Sequence, residues 1–285
     1  MIKKLFAALA LIICLPVCFG FSRPLSIGAQ ATMTGKDNIS FVVSTDLSTL
    51  KSYNSLTAEQ KSIATNLLSQ TISNVSADFR AGMLAKLAAQ NIAVSEVKDD
   101  FSTELKTEKE NQVQTFVATL SSAKVIQAFC QTTLPSPTTQ KSLFYTTTTR
   151  DISAVINAFY AYAQTLAAHG QKLKADLLKS AIPLSAATEI SQIAVVFCYA
   201  TPSHRISSNA DEMIYEKGYF YHQFKMPPQG QQVTSKFVSI KLERTEVWLG
   251  AVLCCAFAFV AVSMLVVRLK KPKQKKQDDG SEKQP

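Results

Sequence analysis

VWLGAVLCCAFAFVAVSMLVV, residues 247–267, is 21 residues long and carries no charge. A helix of that length rises ~30 Å, the thickness of a bilayer's hydrocarbon core. Trp248 stands at its upstream edge, where an indole suits the headgroup region. Arg268, Lys270, Lys271, Lys273, Lys275 and Lys276 follow at once, and a cationic flank of this kind stays on the cytoplasmic side. A buried core helix of this length would present some polar face, and this stretch has none. The reading is a transmembrane helix over 247–267 with a basic cytoplasmic tail over 268–285.

The opposite end carries a shorter apolar run. Lys3 and Lys4 precede Leu5–Leu15, which is almost wholly apolar, and Cys18 and Gly20 place small residues before a cut at Phe21. This layout predicts a secretory signal peptide over 1–20. Together the two ends predict a single-pass plasma-membrane protein whose N-terminal body is extracytoplasmic and whose C-terminus is cytoplasmic.

That topology changes the meaning of the charge. The whole chain has 30 Lys+Arg, 21 Asp+Glu and a formal charge of +9. The tail from Arg268 holds seven basic residues and three acids, and Lys3 and Lys4 belong to the signal. What remains has 21 basic and 18 acidic residues, so the body is only weakly cationic. A nucleic-acid partner would need clustered basic residues on a folded face, and none is expected. A soluble cytoplasmic enzyme and a multi-span transporter are both excluded by the same count of apolar stretches.

Inside the body, residues 28–45 read as a β-hairpin, with Gly35-Lys36-Asp37-Asn38 as the turn between two β-branched runs. Thr57-Ala58-Glu59-Gln60 has the form of a capping box. Leu68, Ile72, Val75, Phe79, Met83 and Leu87 then hold one stripe at helical spacing, with a break expected near Asn74 or Gly82. Ile92–Val97 reads as a strand, and strands at 101–107 and 112–121 flank Lys109-Glu110-Asn111. The second of these also suits a short helix. Residues 131–149 are rich in Thr and Pro and read as a joint between an N-terminal part, 21–130, and a C-terminal part, 150–246.

A second amphipathic helix is expected from Asp151, its N-cap, through Ile152, Val155, Ile156, Phe159, Ala163 and Leu166 to a stop at His169-Gly170. A shorter helix carries Leu173 and Leu177, and Pro183 ends it. Ile193–Tyr199 reads as a buried strand. Met213-Ile214-Tyr215 and Tyr219–Phe224 flank Glu216-Lys217-Gly218 as a hairpin. A last strand over 233–242 leads almost directly into the membrane. The predicted fold is an α+β ectodomain, an antiparallel-rich sheet built from both ends of the body with two amphipathic helices on it, plus the C-terminal transmembrane helix.

Catalytic grammar is sparse. The spacings show no H-E-x-x-H, no C-x-x-C, no G-x-S-x-G and no phosphate-cradling Gly loop. No catalytic residue, metal site or cofactor is assigned. Cys130 and Cys198 are the cysteines of the body and form a disulfide candidate; closing a loop of about 69 residues would add up to ~4 kcal/mol. Two buried thiols is the alternative. His169 is expected to cap a helix end.

His204 and Arg205, in a turn after a strand, and Tyr219, Tyr221 and His222, in an aromatic strand, are the binding-face candidates. Gly250, Cys254 and Ala258 lie at i, i+4 and i+8 of the span, spacing that lets two membrane helices approach for self-association. The expected function is a non-enzymatic binding or interaction module near the membrane surface, for a protein or envelope partner. The alternatives are a membrane-tethered hydrolase using His204 or His222 with Asp211 or Glu212, and an accessory subunit of a membrane complex.

Overall fold

Ile27–Thr34 (β1) and Asn38–Asp46 (β2) pair antiparallel from Ile27 against Thr45 to Thr34 against Asn38, the hairpin that the β-branched runs specify. The computed structural model describes residues 27–34, 38–108, 112–202, 206–226 and 231–270. The predicted signal peptide, the turns at 35–37 and 109–111, His204, Arg205 and the tail beyond 270 lie outside the described residues.

A single helix follows, Ala58–Ala89 (α1), running through Asn74 and Gly82 without the expected break. Its capping box is formed. Gln60 N–H donates to Thr57 Oγ1, and Thr57 N–H donates to the Gln60 side chain. All six residues of the predicted stripe are buried. Ile92–Val97 is not a strand: Val94–Val97 forms a 3-10 turn. Only Val97 of that turn is buried, so a turn that points one side chain inward replaces an extended run with a face to pair.

Phe101–Glu108 (β3) and Val113–Leu120 (β4) form the second hairpin, then Ala123–Cys130 (α2) with Ser122 as its cap. Thr138–Lys141 (β5) and Tyr145–Asp151 (β6) occupy the Thr-rich stretch. Ser153–Lys179 (α3) is one helix where two were expected, and Ile152, not Asp151, sits at its N-cap. It passes through His169-Gly170 because Gly170 serves packing. A Cβ there would lie 2.8 Å from Ile193 Cδ1 and 3.0 Å from the Ser191 carbonyl oxygen. Pro183 starts the next helix, Leu184–Ile190 (α4), instead of ending the one before.

The remaining strands are Ile193–Thr201 (β7), Ile206–Ser208 (β8), Glu212–Glu216 (β9), Tyr219–Phe224 (β10) and Phe237–Glu243 (β11). Seven strands form one sheet in the order β3-β4-β2-β1-β7-β10-β9. Every adjacent pair in it is antiparallel except β1 with β7, which run parallel from Ile27 against Ile193. The two ends of the body meet at that pair. Four strands form a second sheet, β5-β6-β11-β8.

Residues at alternate positions along β4, β2, β1 and β7 make one core face. Phe116 and Ala118, Phe41 and Val43, Ala29 and Ala31, and Phe197 and Tyr199 are all buried on it with the helix stripes. Phe41 sits at its centre, with ring centroids 5.2 Å from Phe79, 4.9 Å from Phe129 and 5.7 Å from Phe159. The fold is therefore mixed α/β with antiparallel-rich sheets.

The chain divides into two compact units, Met1–Thr138 with Thr148–Ile240, and Thr139–Thr147 with Lys241–Pro285. In the second, Thr245–Lys270 (α5) contains the one described helix long and apolar enough to cross a membrane, over Thr245–Val266, and none of that window is buried in protein. Its start is held locally. Arg244 donates its N–H to Phe144 O at 2.8 Å and its guanidinium to Ser142 O at 3.2 Å, and Trp248 packs its ring 4.9 Å from Phe144.

Candidate functional site

The β9–β10 hairpin is closed by Lys217 and Gly218 at φ 47° and 84°, the pair of left-handed residues that a two-residue turn between twisted strands requires. Its register sets Glu216 against Tyr219, Tyr215 against Phe220, Ile214 against Tyr221 and Met213 against His222. Because side chains alternate, Met213 and Tyr215 share a face with Phe220 and His222, while Glu212, Ile214 and Glu216 share the other with Tyr221.

β9 is the terminal strand, and among the described residues nothing pairs with its outer edge. Met213 is 60 % exposed and Tyr215 64 %, with the Tyr215 ring 4.6 Å from Phe220. Exposed apolar side chains on an unpaired edge are the usual template for an added strand. Acidic residues bracket them. Glu212 is exposed, and Glu216 is mostly buried, with Oε1 3.9 Å from Lys217 Nζ and Oε2 without a partner.

The structure separates the predicted binding residues. Tyr219 is exposed, but Tyr221 is only 5 % exposed and packs with Val196, Cys198 and Ala200. His222 is 3 % exposed, on the same face as Phe224 and opposite Tyr199. These two are interior residues of the single chain, because β10 is the second strand in from the edge and is flanked on both sides.

His222 Nδ1 lies 2.7 Å from Ser208 Oγ, a bond that ties β8 to β10, and its Nε2 is buried without a partner. Burial pushes the imidazole pKa down. A Ser–His pair can activate a hydroxyl, but the ring then needs an acid on its other nitrogen. Neither predicted acid serves. Asp211 accepts the Lys225 N–H at 2.8 Å and lies 3.5 Å from Lys236 Nζ, and Glu212 points to the opposite sheet face from His222.

Of the two readings of Cys130 and Cys198, bridge or separate thiols, the structure has the second: both are free. Cys130 packs against the helix-side core, whereas Cys198 alternates with Phe197 and Tyr199 and so belongs to the cluster on the far face of the sheet. Burial raises the Cys130 thiol to about 12, which keeps it protonated. His169 lies inside α3, not at its end, and its Nε2 is 2.9 Å from Asp78 Oδ2 on α1. Gly250, Cys254 and Ala258 are exposed along α5.

From the sequence Met213 and Glu216 read only as hairpin residues, and Ser208 carries no reading of its own. The Glu residues bracketing Met213-Ile214-Tyr215 were a visible signal for an edge; Ser208, 14 residues from His222, offered none. Among the described residues no group of His, Cys, Asp and Glu side chains could hold a metal. Comparison with protein-family models, with curated proteins and with solved structures finds no match.

Proposed function

We propose that the protein is a membrane-anchored, extracytoplasmic binding module that takes an extended segment of a partner protein along the outer edge of β9. The observation that carries this is the pair of exposed side chains Met213 and Tyr215 on a terminal strand. Anchoring is supported by the apolar helix Thr245–Val266, and orientation by the basic residues that follow it.

Charge favours a partner over a second copy. Two β9 strands paired antiparallel about Ile214 would set Glu212 of each opposite Glu216 of the other, and like charges directly opposite destabilise a ladder. A partner strand with Lys or Arg at those positions and apolar residues opposite Met213 and Tyr215 satisfies both the acids and the edge.

A photo-crosslinking residue placed at Tyr215 of the full chain in native membranes tests this, with the same residue at Leu105 on the opposite edge as control. A discrete heterologous adduct from position 215, lost when Met213 is changed to Lys, is expected. Identical adducts from both positions, adducts only between copies of the chain, or none would end the proposal.

The tethered-hydrolase alternative is favoured only by the Ser208–His222 contact. His222→Ala and Ser208→Ala variants that retain partner capture would remove it. The accessory-subunit alternative places the contact on α5, and Gly250→Leu with Ala258→Leu would then abolish co-purification while leaving the β9 adduct intact.

A further inference from the structure

Between α1 and α3, a cleft of about 330 Å³ opens because the facing residues are small. Gly82 on α1 and Ala158 and Ala161 on α3 leave room that larger side chains would fill. A Cβ built on Gly82 meets nothing within 4 Å. The wall is aromatic: Phe79, Phe129 and Tyr162 all line it, with the Phe79 and Tyr162 rings 4.9 Å apart and edge-on. This volume lies at the small end of the ~300–1,000 Å³ found for ligand sites.

Two charges reach the cleft, and they are not equivalent. Asp78 Oδ2 is hydrogen-bonded to His169 Nε2 at 2.9 Å. Lys86 is half-buried, donates to the Phe129 carbonyl at 2.7 Å and lies 4.6 Å from the centre of the Phe129 ring. Among the described residues no carboxylate lies within ion-pairing distance of it. The neighbouring Cys130 cannot supply a counter-charge, because its thiol stays protonated near neutral pH. Burial lowers the Lys86 pKa, as expected for a cation short of an opposite charge.

We infer that this cleft binds a small amphiphile with an apolar aryl or short acyl body and a single carboxylate head. The body lies against Phe79, Phe129 and Tyr162 over Gly82, and the head pairs with Lys86. The site is independent of the β9 edge and stands whether or not that edge takes a partner.

The test is equilibrium dialysis of 4-phenylbutyrate against the full chain in nanodiscs, with binding to empty nanodiscs subtracted. Saturable binding near one per chain is expected, with the neutral analogue 4-phenylbutan-1-ol binding at least about tenfold more weakly, ~1.4 kcal/mol. Lys86→Gln should weaken the acid by a similar factor, and Lys86→Arg should restore it. Gly82→Leu fills the cleft from an exposed helix position and should abolish binding while the thermal midpoint is kept, which separates lost site from lost fold. No saturable binding, equal binding of acid and alcohol, or undiminished binding by a folded Gly82→Leu variant would each overturn the inference.

Discussion

The seven-stranded sheet ends in β3 on one side and β9 on the other, and the two edges are finished in opposite ways. The far face of β3 carries Ser102, Glu104, Lys106 and Glu108, with Lys106 Nζ 3.4 Å from Glu104. Its largest exposed apolar side chain, Leu105, stands alone at 41 %. Charged residues and an edge Lys are how natural sheets discourage an added strand. β9 has its charges only at Glu212 and Glu216 and exposes Met213 and Tyr215 between them. The β3 edge is charged along its far face, whereas the β9 edge leaves apolar side chains open between two acids; on the proposed reading only the second takes a partner strand.

The largest effect should come from the element the two edges share. Phe41→Ala removes the ring that contacts Phe79, Phe129 and Phe159 and should cost ~3–5 kcal/mol. Chemical denaturation should show the loss, and hydrogen exchange should rise at β3 and β9 alike. Exchange rising at one edge alone would mean the sheet is not one cooperative body. Next, Met213→Lys with Tyr215→Lys should weaken partner association by at least about tenfold, ~1.4 kcal/mol, in a pull-down titration. Glu104→Val with Lys106→Val should have the converse effect at β3. Concentration-dependent self-association in size exclusion is expected where the wild type shows none, and a variant that stays monomeric would mean these charges do not guard that edge.

Protons should distinguish the two ends more gently. His222 titrates below its usual ~6.5, so the unfolded chain takes up the proton first. The stability that the neutral ring provides is whole above ~6.5 and is lost as pH falls from there through the lowered value. Protection factors at β8 and β10, exchange rates corrected for the intrinsic pH dependence of amide exchange, should therefore fall as pH drops below ~6.5 while those at β3 and β4 hold, and His222→Leu should flatten that dependence. The smallest effect is Leu105→Lys. An exposed edge residue with no assigned partner should change stability by no more than ~0.5 kcal/mol and leave partner capture untouched.

What could be read from the chain was local. The Ile39–Val43 run, the Thr57 capping box and the α1 stripe each carry their meaning within a few residues, and each forms as expected. Gly170 shows the limit. A Gly after a helical run normally signals a left-handed cap, but here the missing Cβ admits Ile193, 23 residues away, and no window around position 170 contains that fact. His222 and Tyr221 failed similarly. Alternation and the hairpin with β9 are legible locally, but whether the other side of β10 is free or covered depends on β7, a distant strand that pairs with it. For Cys130 and Cys198 the sequence leaves a bridge and two separate thiols open, and only sheet parity, which puts them on opposite sides, decides.

The start of α5 has a mechanical consequence. With Arg244 hydrogen-bonded to two carbonyls of the 139–147 hairpin and the Trp248 ring packed at a tilt against Phe144, the start of the helix is keyed to that hairpin. If bilayer thickness changes the tilt of such a shaft, the torque passes straight into the Phe144 turn instead of dissipating in a swivel.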